Sequence, residues 1–228
     1  MELCFKKEYS FENDALFVHP FDDNDVIVGQ SSIAHEIFQK QKNVDYIFVC
    51  VGGGGLVSGI CNYISSFELN TKIICAEPEN ANSLEMSLKN NKITSLDYLD
   101  NFVDGAAVKT VGKRNFEITK DKISEIHSIP KNEICYNMVD VYQNDGIILE
   151  PAGVLGLCLL ERMKDKIIGK NVVCILSGGN NDILRYNEIL DRSLVYKGLK
   201  HYFLIDFNQR PGQLREFVNN ILLNNIDI

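Results

Sequence analysis

A run of glycines is the feature of this sequence best suited to binding a ligand. Gly52, Gly53, Gly54 and Gly55 directly follow the apolar segment 46–51. Four consecutive glycines are entropically unfavourable in a plain connector, where one or two would suffice for a turn. Because glycine has no Cβ, such amides can approach an anion closely, and a helix that begins there adds the positive end of its dipole. The run, residues 52–55, therefore predicts a phosphate-binding loop, called the glycine loop below.

A second loop of small polar residues follows another apolar segment. Residues 177–180, Ser-Gly-Gly-Asn, come after the segment 172–176, and Ser177 could present its hydroxyl to a ligand. Taken alone, this serine loop also fits an ordinary turn, since serine and glycine are common turn residues.

The elements around the two loops indicate an α/β fold. Short, continuous apolar runs at 46–51, 72–76 and 172–176 are typical of strands buried on both faces of a parallel sheet. Apolar residues at helical spacing predict helices at 56–67, 132–143, 152–164 and 181–191. Ligands in open α/β sheets gather at the carboxyl ends of the strands, where both loops are expected.

The type of phosphate ligand is only partly restricted by the local pattern. A Walker A loop fails because Gly59 is followed by Ile60, and a dinucleotide GxGxxG pattern fails because its third glycine would fall on Val57 or Ser58. Glu77 closes the second predicted strand, 22 positions after Gly55, where an acid could bind a ribose. A nucleotide therefore remains an alternative ligand.

Composition excludes several classes of protein. The chain has 228 residues, 45% of them hydrophobic, and a formal net charge of −8 without a Lys/Arg block, which argues against a nucleic-acid partner. No apolar run approaches the length of a membrane span. The seven cysteines have neither disulfide-framework nor zinc-site spacing, so we expect reduced thiols and a cytoplasmic protein.

Several motifs together resemble a known family. VGGGGLVSG at 51–59 and ILSGGNND at 175–182 resemble fold-type II pyridoxal-phosphate (PLP) enzymes. HPFDDNDVIVGQ at 19–30, FVDGAAV at 102–108 and LEPAGV at 149–154 resemble segments of threonine dehydratases and serine racemases. Residues 192–218 resemble the start of the regulatory domain of biosynthetic threonine dehydratases, which serine racemases lack. The resemblance covers essentially the whole chain, in the right order.

The resemblance implies the cofactor and the residues that hold it. The glycine loop would bind the phosphate of PLP, and Ser177 would hydrogen-bond the pyridine nitrogen. Gly105 and Glu150 match positions close to the ring. Their residue types equally fit a turn glycine and a carboxylate in the first turn of a helix. No metal is expected, because Glu77 and Ala81 match a racemase metal site whereas Ser83 replaces its aspartate.

The resemblance also implies the domain organisation. Residues 1–195 would form part of a catalytic domain, a mostly parallel sheet with flanking helices. Residues 196–228 would begin an ACT-like regulatory domain, with a strand at 202–207 and a helix at 211–223. Both parts are expected to be incomplete.

The implied activity is deamination of L-threonine to 2-oxobutanoate and ammonia, the first step of isoleucine biosynthesis. The family's Schiff-base lysine lies in a Ser-x-Lys-x-Arg segment, and no lysine here has that context. No catalytic residue is therefore predicted within this chain, which alone is expected to be inactive. The expected partners are L-threonine or L-serine, an allosteric branched-chain amino acid, and further copies of the intact parent. The alternatives are a non-catalytic or regulatory remnant that binds an amino acid, and an enzyme of the serine racemase or serine dehydratase type.

Overall fold

A four-stranded parallel sheet forms the centre of the fold. The computed structural model describes residues 8–220. The strands are β1 (Tyr46–Cys50), β2 (Lys72–Pro78), β3 (Ile123–Ile129) and β4 (Val172–Cys174), in the order β3-β2-β1-β4. All three pairings are parallel, with Phe48 of β1 opposite Ile74 of β2 and Cys174 of β4. The predicted α/β class and parallel sheet are confirmed.

Helices cover both faces of the sheet. They are α1 (Asn24–Lys40), α2 (Gly55–Ser66), α3 (Ser83–Lys89), α4 (Lys113–Thr119), α5 (Lys131–Asp145), α6 (Pro151–Ile167), α7 (Tyr186–Tyr196) and α8 (Gln213–Asn220), with short 3₁₀ turns at Asp104–Ala106 and Ile183–Arg185. The helices predicted at 56–67, 132–143 and 152–164 are confirmed as α2, α5 and α6.

The core has two apolar layers because β1 is buried on both faces. Phe48 packs on one face with Leu155 of α6, and Ile47 packs on the other face with Ile60 of α2. All four side chains are fully buried. Alternate residues of a strand point to opposite faces, so a strand covered on both sides must be apolar throughout. This requirement explains the run that made β1 recognisable in the sequence.

The predicted strand at 202–207 is wrong. The structure assigns no strand there, and the side chains of Phe203 and Leu204 are 80% and 99% exposed. A strand is stabilised by a hydrogen-bonded neighbour, and among residues 8–220 none pairs with this segment. The predicted helix at 211–223 begins at Gln213 as α8, and its predicted end lies outside the described residues.

The predicted helix at 181–191 begins later than expected. A 3₁₀ turn at Ile183–Arg185 comes first, and α7 then extends to Tyr196. The Asp182 side chain caps this turn by accepting a hydrogen bond from the Leu184 amide at 2.9 Å. No helix within residues 8–220 is long and apolar enough to cross a bilayer.

Candidate functional site

A cavity of about 370 Å³ lies at the carboxyl ends of β1 and β4. It is lined by both predicted loops, although they are far apart in the sequence. The structure also brings Gly105 and Glu150 to the same cavity. Its walls are formed by Pro20, Phe21, Val26, Gln30, Cys50, Val51, Gly52, Gly53, Gly54, Gly55, Leu56, Val57, Gly105, Val108, Glu150, Ala152, Ser177 and Gly178.

The glycine loop lies between β1 and the N-terminus of α2, as predicted. Within the described residues, none of its four backbone N–H groups donates a loop or turn hydrogen bond. The last loop position, Gly55, is the first residue of α2, so the loop amides lie near the positive end of that helix. The loop therefore offers backbone donors to an anion at the cavity wall.

Close packing explains why these positions are glycine. A Cβ on Gly52 would lie 2.9 Å from Ala106 Cα, and one on Gly54 would lie 2.8 Å from Asn115 Cβ. Gly54 also has a φ of +94°, a left-handed conformation that favours glycine. The absence of side chains thus serves the protein's own packing as well as access to a ligand.

Asn115 holds the glycine loop in place through hydrogen bonds. Its Nδ2 donates to Gly53 O at 2.8 Å and to Phe21 O at 2.9 Å, and the Gly112 amide also donates to Gly53 O, at 3.1 Å. The Gly53 carbonyl is therefore fully engaged by the protein. The buried Asn115 side chain acts as a clamp between the loop and the segment around Phe21.

The segment around Phe21 packs against the glycine loop. The sequence analysis did not identify it as part of the site. A Cβ on Gly53 would lie 2.2 Å from Phe21 Cγ, so the ring packs directly on the loop backbone. Asp22 accepts hydrogen bonds from the first two amides of α4, and Asp23 caps α1. The Asp-Asp pair before a helical segment was the available signal, since aspartate is a favoured N-cap.

Glu150 connects the serine loop to the start of α6. Its Oε2 accepts a hydrogen bond from the Asn180 amide at 2.9 Å, and its own amide donates to Gly178 O at 3.2 Å. Gly178 has a φ of +91°, and a Cβ there would lie 2.2 Å from Glu150 Oε1. Glu150 thus contacts the loop that carries Ser177.

Ser177 contacts Cys50 at the cavity wall. The Ser177 Oγ lies 3.1 Å from Cys50 Sγ, and both residues line the cavity. Burial raises the pKa of the Cys50 thiol, so it stays protonated near neutral pH. The sequence analysis had predicted only a reduced thiol at this position. Its place two residues before the glycine loop was the signal that could have identified it.

Glu77, the residue that favoured a nucleotide, does not line the cavity. Its carboxyl group is fully buried, and its oxygens accept hydrogen bonds from the Leu84 amide at 2.9 Å and the Glu85 amide at 2.8 Å. The side chain therefore caps the N-terminus of α3, and the nucleotide alternative loses its one supporting feature. Within residues 8–220, no cluster of His, Cys, Asp and Glu is arranged to hold a metal ion.

Glu77 should make the stability of the chain depend on pH. Burial raises the pKa of its carboxyl from 4.5 to about 8. Between these values the folded chain binds more protons than the unfolded chain, so this group's contribution to stability falls as the pH rises. In urea unfolding, the free energy of unfolding should decline as the pH rises from 5 to 8. Glu77→Gln should make this decline less steep, by at most about 1.4 kcal/mol per pH unit. The same slope in both proteins would contradict the assignment.

The cavity offers a defined chemistry at two ends. The glycine loop supplies free amides and a helix N-terminus, which suit a phosphate. Ser177 supplies a hydroxyl that can donate or accept one hydrogen bond to a heteroatom. A ring that carries a phosphate arm and a heteroatom would satisfy both.

Comparison with known sequences finds a matching family and several similar proteins. The family model for pyridoxal-phosphate dependent enzymes matches residues 2–178. A biosynthetic L-threonine dehydratase of Halalkalibacterium halodurans is 46% identical over 217 residues, which are 95% of this chain and 52% of that protein. One from Lactococcus lactis is 45% identical over 226 residues, 97% of this chain and 54% of that protein. The chain thus spans about half the length of the curated relatives it matches.

Solved structures show the same fold. The processed form of threonine deaminase isoform 2 from Solanum lycopersicum superposes with a TM-score of 0.78 at 31% identity, covering 82% of this chain and 55% of that one. Serine racemase from Dictyostelium discoideum superposes with a TM-score of 0.71 at 34% identity, covering 79% and 58%.

Proposed function

This chain belongs to the family of pyridoxal-phosphate dependent enzymes, and we propose that its cavity holds PLP between the glycine loop and Ser177. The observation that carries the proposal is the meeting of these two loops at one cavity, with the loop amides free of other partners in the described chain. The glycine loop would bind the phosphate, and the Ser177 hydroxyl would bind the ring nitrogen. Gly105 and Glu150 would lie beside the ring.

The glycine loop and Ser177 have different roles in this proposal. The amides of residues 52–55 and the N-terminus of α2 neutralise the phosphate without a charged side chain. The Ser177 hydroxyl leaves a ring nitrogen uncharged or nearly so, whereas a carboxylate would keep it protonated. The chemistry that PLP supplies when bound is withdrawal of electrons from the Cα of an amino acid, which promotes loss of its proton and of a β-hydroxyl.

We propose that the enzyme containing these residues converts L-threonine to 2-oxobutanoate and ammonia. Relatives of 45–46% identity named biosynthetic L-threonine dehydratase support this reaction. The solved serine racemase at 34% identity makes L-serine a second candidate substrate. The lysine of the Ser-x-Lys-x-Arg motif would come from a segment outside these 228 residues, since no lysine of this sequence has that context.

We also propose that residues 196–228 begin a second domain. Helix α7 ends at Tyr196, and the segment after it exposes Tyr202, Phe203 and Leu204. Exposed apolar side chains in succession are expected where a further layer of structure packs.

Binding of a PLP analogue tests the proposed site. The analogue 4-deoxypyridoxine 5′-phosphate has the ring nitrogen and phosphate but no aldehyde, so calorimetry measures noncovalent binding alone. Ser177→Ala should raise its dissociation constant about three- to ten-fold, as expected for one lost hydrogen bond. Ser66→Ala, on the exposed end of α2, should leave it unchanged. If the wild-type chain does not bind the analogue at millimolar concentration, the proposal is wrong.

A further inference from the structure

Cys50 and Ser177 are neighbours because β1 and β4 are adjacent in the sheet. Phe48 of β1 is opposite Cys174 of β4, and both strands run in the same direction. Cys50 is the last residue of β1, and Ser177 follows the end of β4. The parallel register therefore brings the two side chains together, with Sγ and Oγ 3.1 Å apart at the cavity wall.

Cys50 and Ser177 each have one hydrogen to donate, which limits the hydrogen bonds that the pair can make. A serine hydroxyl has one hydrogen to donate, and a thiol has one weak donor and a weak acceptor. Burial raises the pKa of the Cys50 thiol, so its hydrogen is retained. If Ser177 donated to the sulfur, it would have no hydrogen left for a ligand. If Cys50 donates to Ser177, the serine hydrogen is free to point into the cavity.

We propose that Cys50 is a positioning residue whose S–H donates to Ser177 Oγ, which directs the serine hydroxyl as a donor toward an uncharged aromatic nitrogen in the cavity. This inference rests on the proposed function, because it assigns the direction of a hydrogen bond within that same site. In this proposal, Cys50 affects the recognition of the nitrogen through Ser177. Its loss should therefore weaken recognition of the nitrogen and leave recognition of the phosphate intact.

A pair of ligands separates this role from plain packing. The first is 4-deoxypyridoxine 5′-phosphate, and the second is benzyl phosphate, which has a ring and a phosphate arm but no ring nitrogen. Cys50→Ala should weaken binding of the first about three- to ten-fold and leave binding of the second unchanged. Cys50→Ser, which keeps a donor, should restore binding of the first to within about two-fold of the wild type.

A double-mutant cycle and a matched control complete the test. In the Ser177→Ala background, Cys50→Ala should have no further effect on either ligand, because the group that it positions is gone. Cys174→Ala removes a nearby half-buried thiol with no bond to Ser177 in the described structure, and it should change neither dissociation constant.

The outcomes are distinguishable from failure of the proposed site. A Cys50→Ala variant that binds both ligands as the wild type does, or loses both equally, would overturn the positioning role while the site itself stands. Additive effects of Cys50→Ala and Ser177→Ala would overturn it too. A wild-type chain that binds neither ligand would overturn the proposed function, and this inference with it.

Discussion

Replacing Gly54 by alanine is expected to abolish measurable binding of 4-deoxypyridoxine 5′-phosphate. The backbone there has a φ of +94°, and a Cβ would lie 2.8 Å from Asn115 Cβ. Relief of that contact requires movement of the loop or of Asn115, which holds Gly53 O. The strained conformation alone should lower the free energy of unfolding by about 1–3 kcal/mol. Calorimetry and urea unfolding measure the two effects separately.

Two other glycines serve as matched controls for this substitution. Gly146, at the end of α5, also has a positive φ, +69°, but a Cβ there meets nothing within 4 Å. Gly146→Ala should lower stability by about 1 kcal/mol and leave ligand binding unchanged. Gly29→Ala, within α1 and equally uncrowded, should leave binding unchanged and raise stability by about 0.5–1 kcal/mol. A Gly54→Ala variant that binds the analogue as the wild type does would contradict the role of the glycine loop.

The second large effect concerns catalysis. We expect the 228-residue polypeptide by itself to form no 2-oxobutanoate from L-threonine, because no lysine in it has the Ser-x-Lys-x-Arg context. Such a lysine would hold the cofactor covalently and take the α-proton of the substrate. Borohydride treatment in the presence of PLP should likewise leave no adduct at a specific lysine.

Supplying the missing motif should reverse this result. Co-expression with the segment of a threonine dehydratase that carries Ser-x-Lys-x-Arg should produce 2-oxobutanoate. It should also produce a lysine–PLP adduct that borohydride reduces to a stable amine. The matched control is the same segment with its motif lysine replaced by alanine. Deamination by the 228-residue polypeptide alone, at an ordinary enzyme rate of roughly 1 s⁻¹ or more, would show that another lysine serves.

Local patterns predicted the elements that carry the site. The β1, glycine loop and α2 unit was recognisable because a doubly buried strand, a run of glycines and a helical pattern follow one another in the sequence. Strand β3 was not predicted, since Ile123–Ile129 lies at the sheet edge, is mostly only partly buried and has an apolar residue only at every third position. The 202–207 segment has an apolar strand-like composition but lacks a neighbouring strand within the described chain, so composition alone misled the prediction.

Local sequence marks some of the residues that support the site, but it does not give the contacts through which they act. Phe21, Asn115 and Cys50 act through contacts with positions far away in the chain, and those contacts exist only after folding. The pairing of Cys50 with Ser177 depends on the register of β1 and β4, which no single segment encodes. Glu77 shows the converse, because its position at the end of a predicted strand suggested a ligand contact but its carboxyl group caps α3.

The most direct test of the central claim is a titration of the ¹⁵N-glycine-labelled chain with 4-deoxypyridoxine 5′-phosphate, followed by NMR. The amide resonances of the glycine loop should move together with that of Gly178, because these residues line one cavity. Those of Gly146 and Gly169, which are uncrowded and do not line it, should stay in place. Saturable shifts confined to the cavity glycines are the result that the proposed PLP site predicts. Unmoved resonances of residues 52–55 at saturating ligand would contradict it.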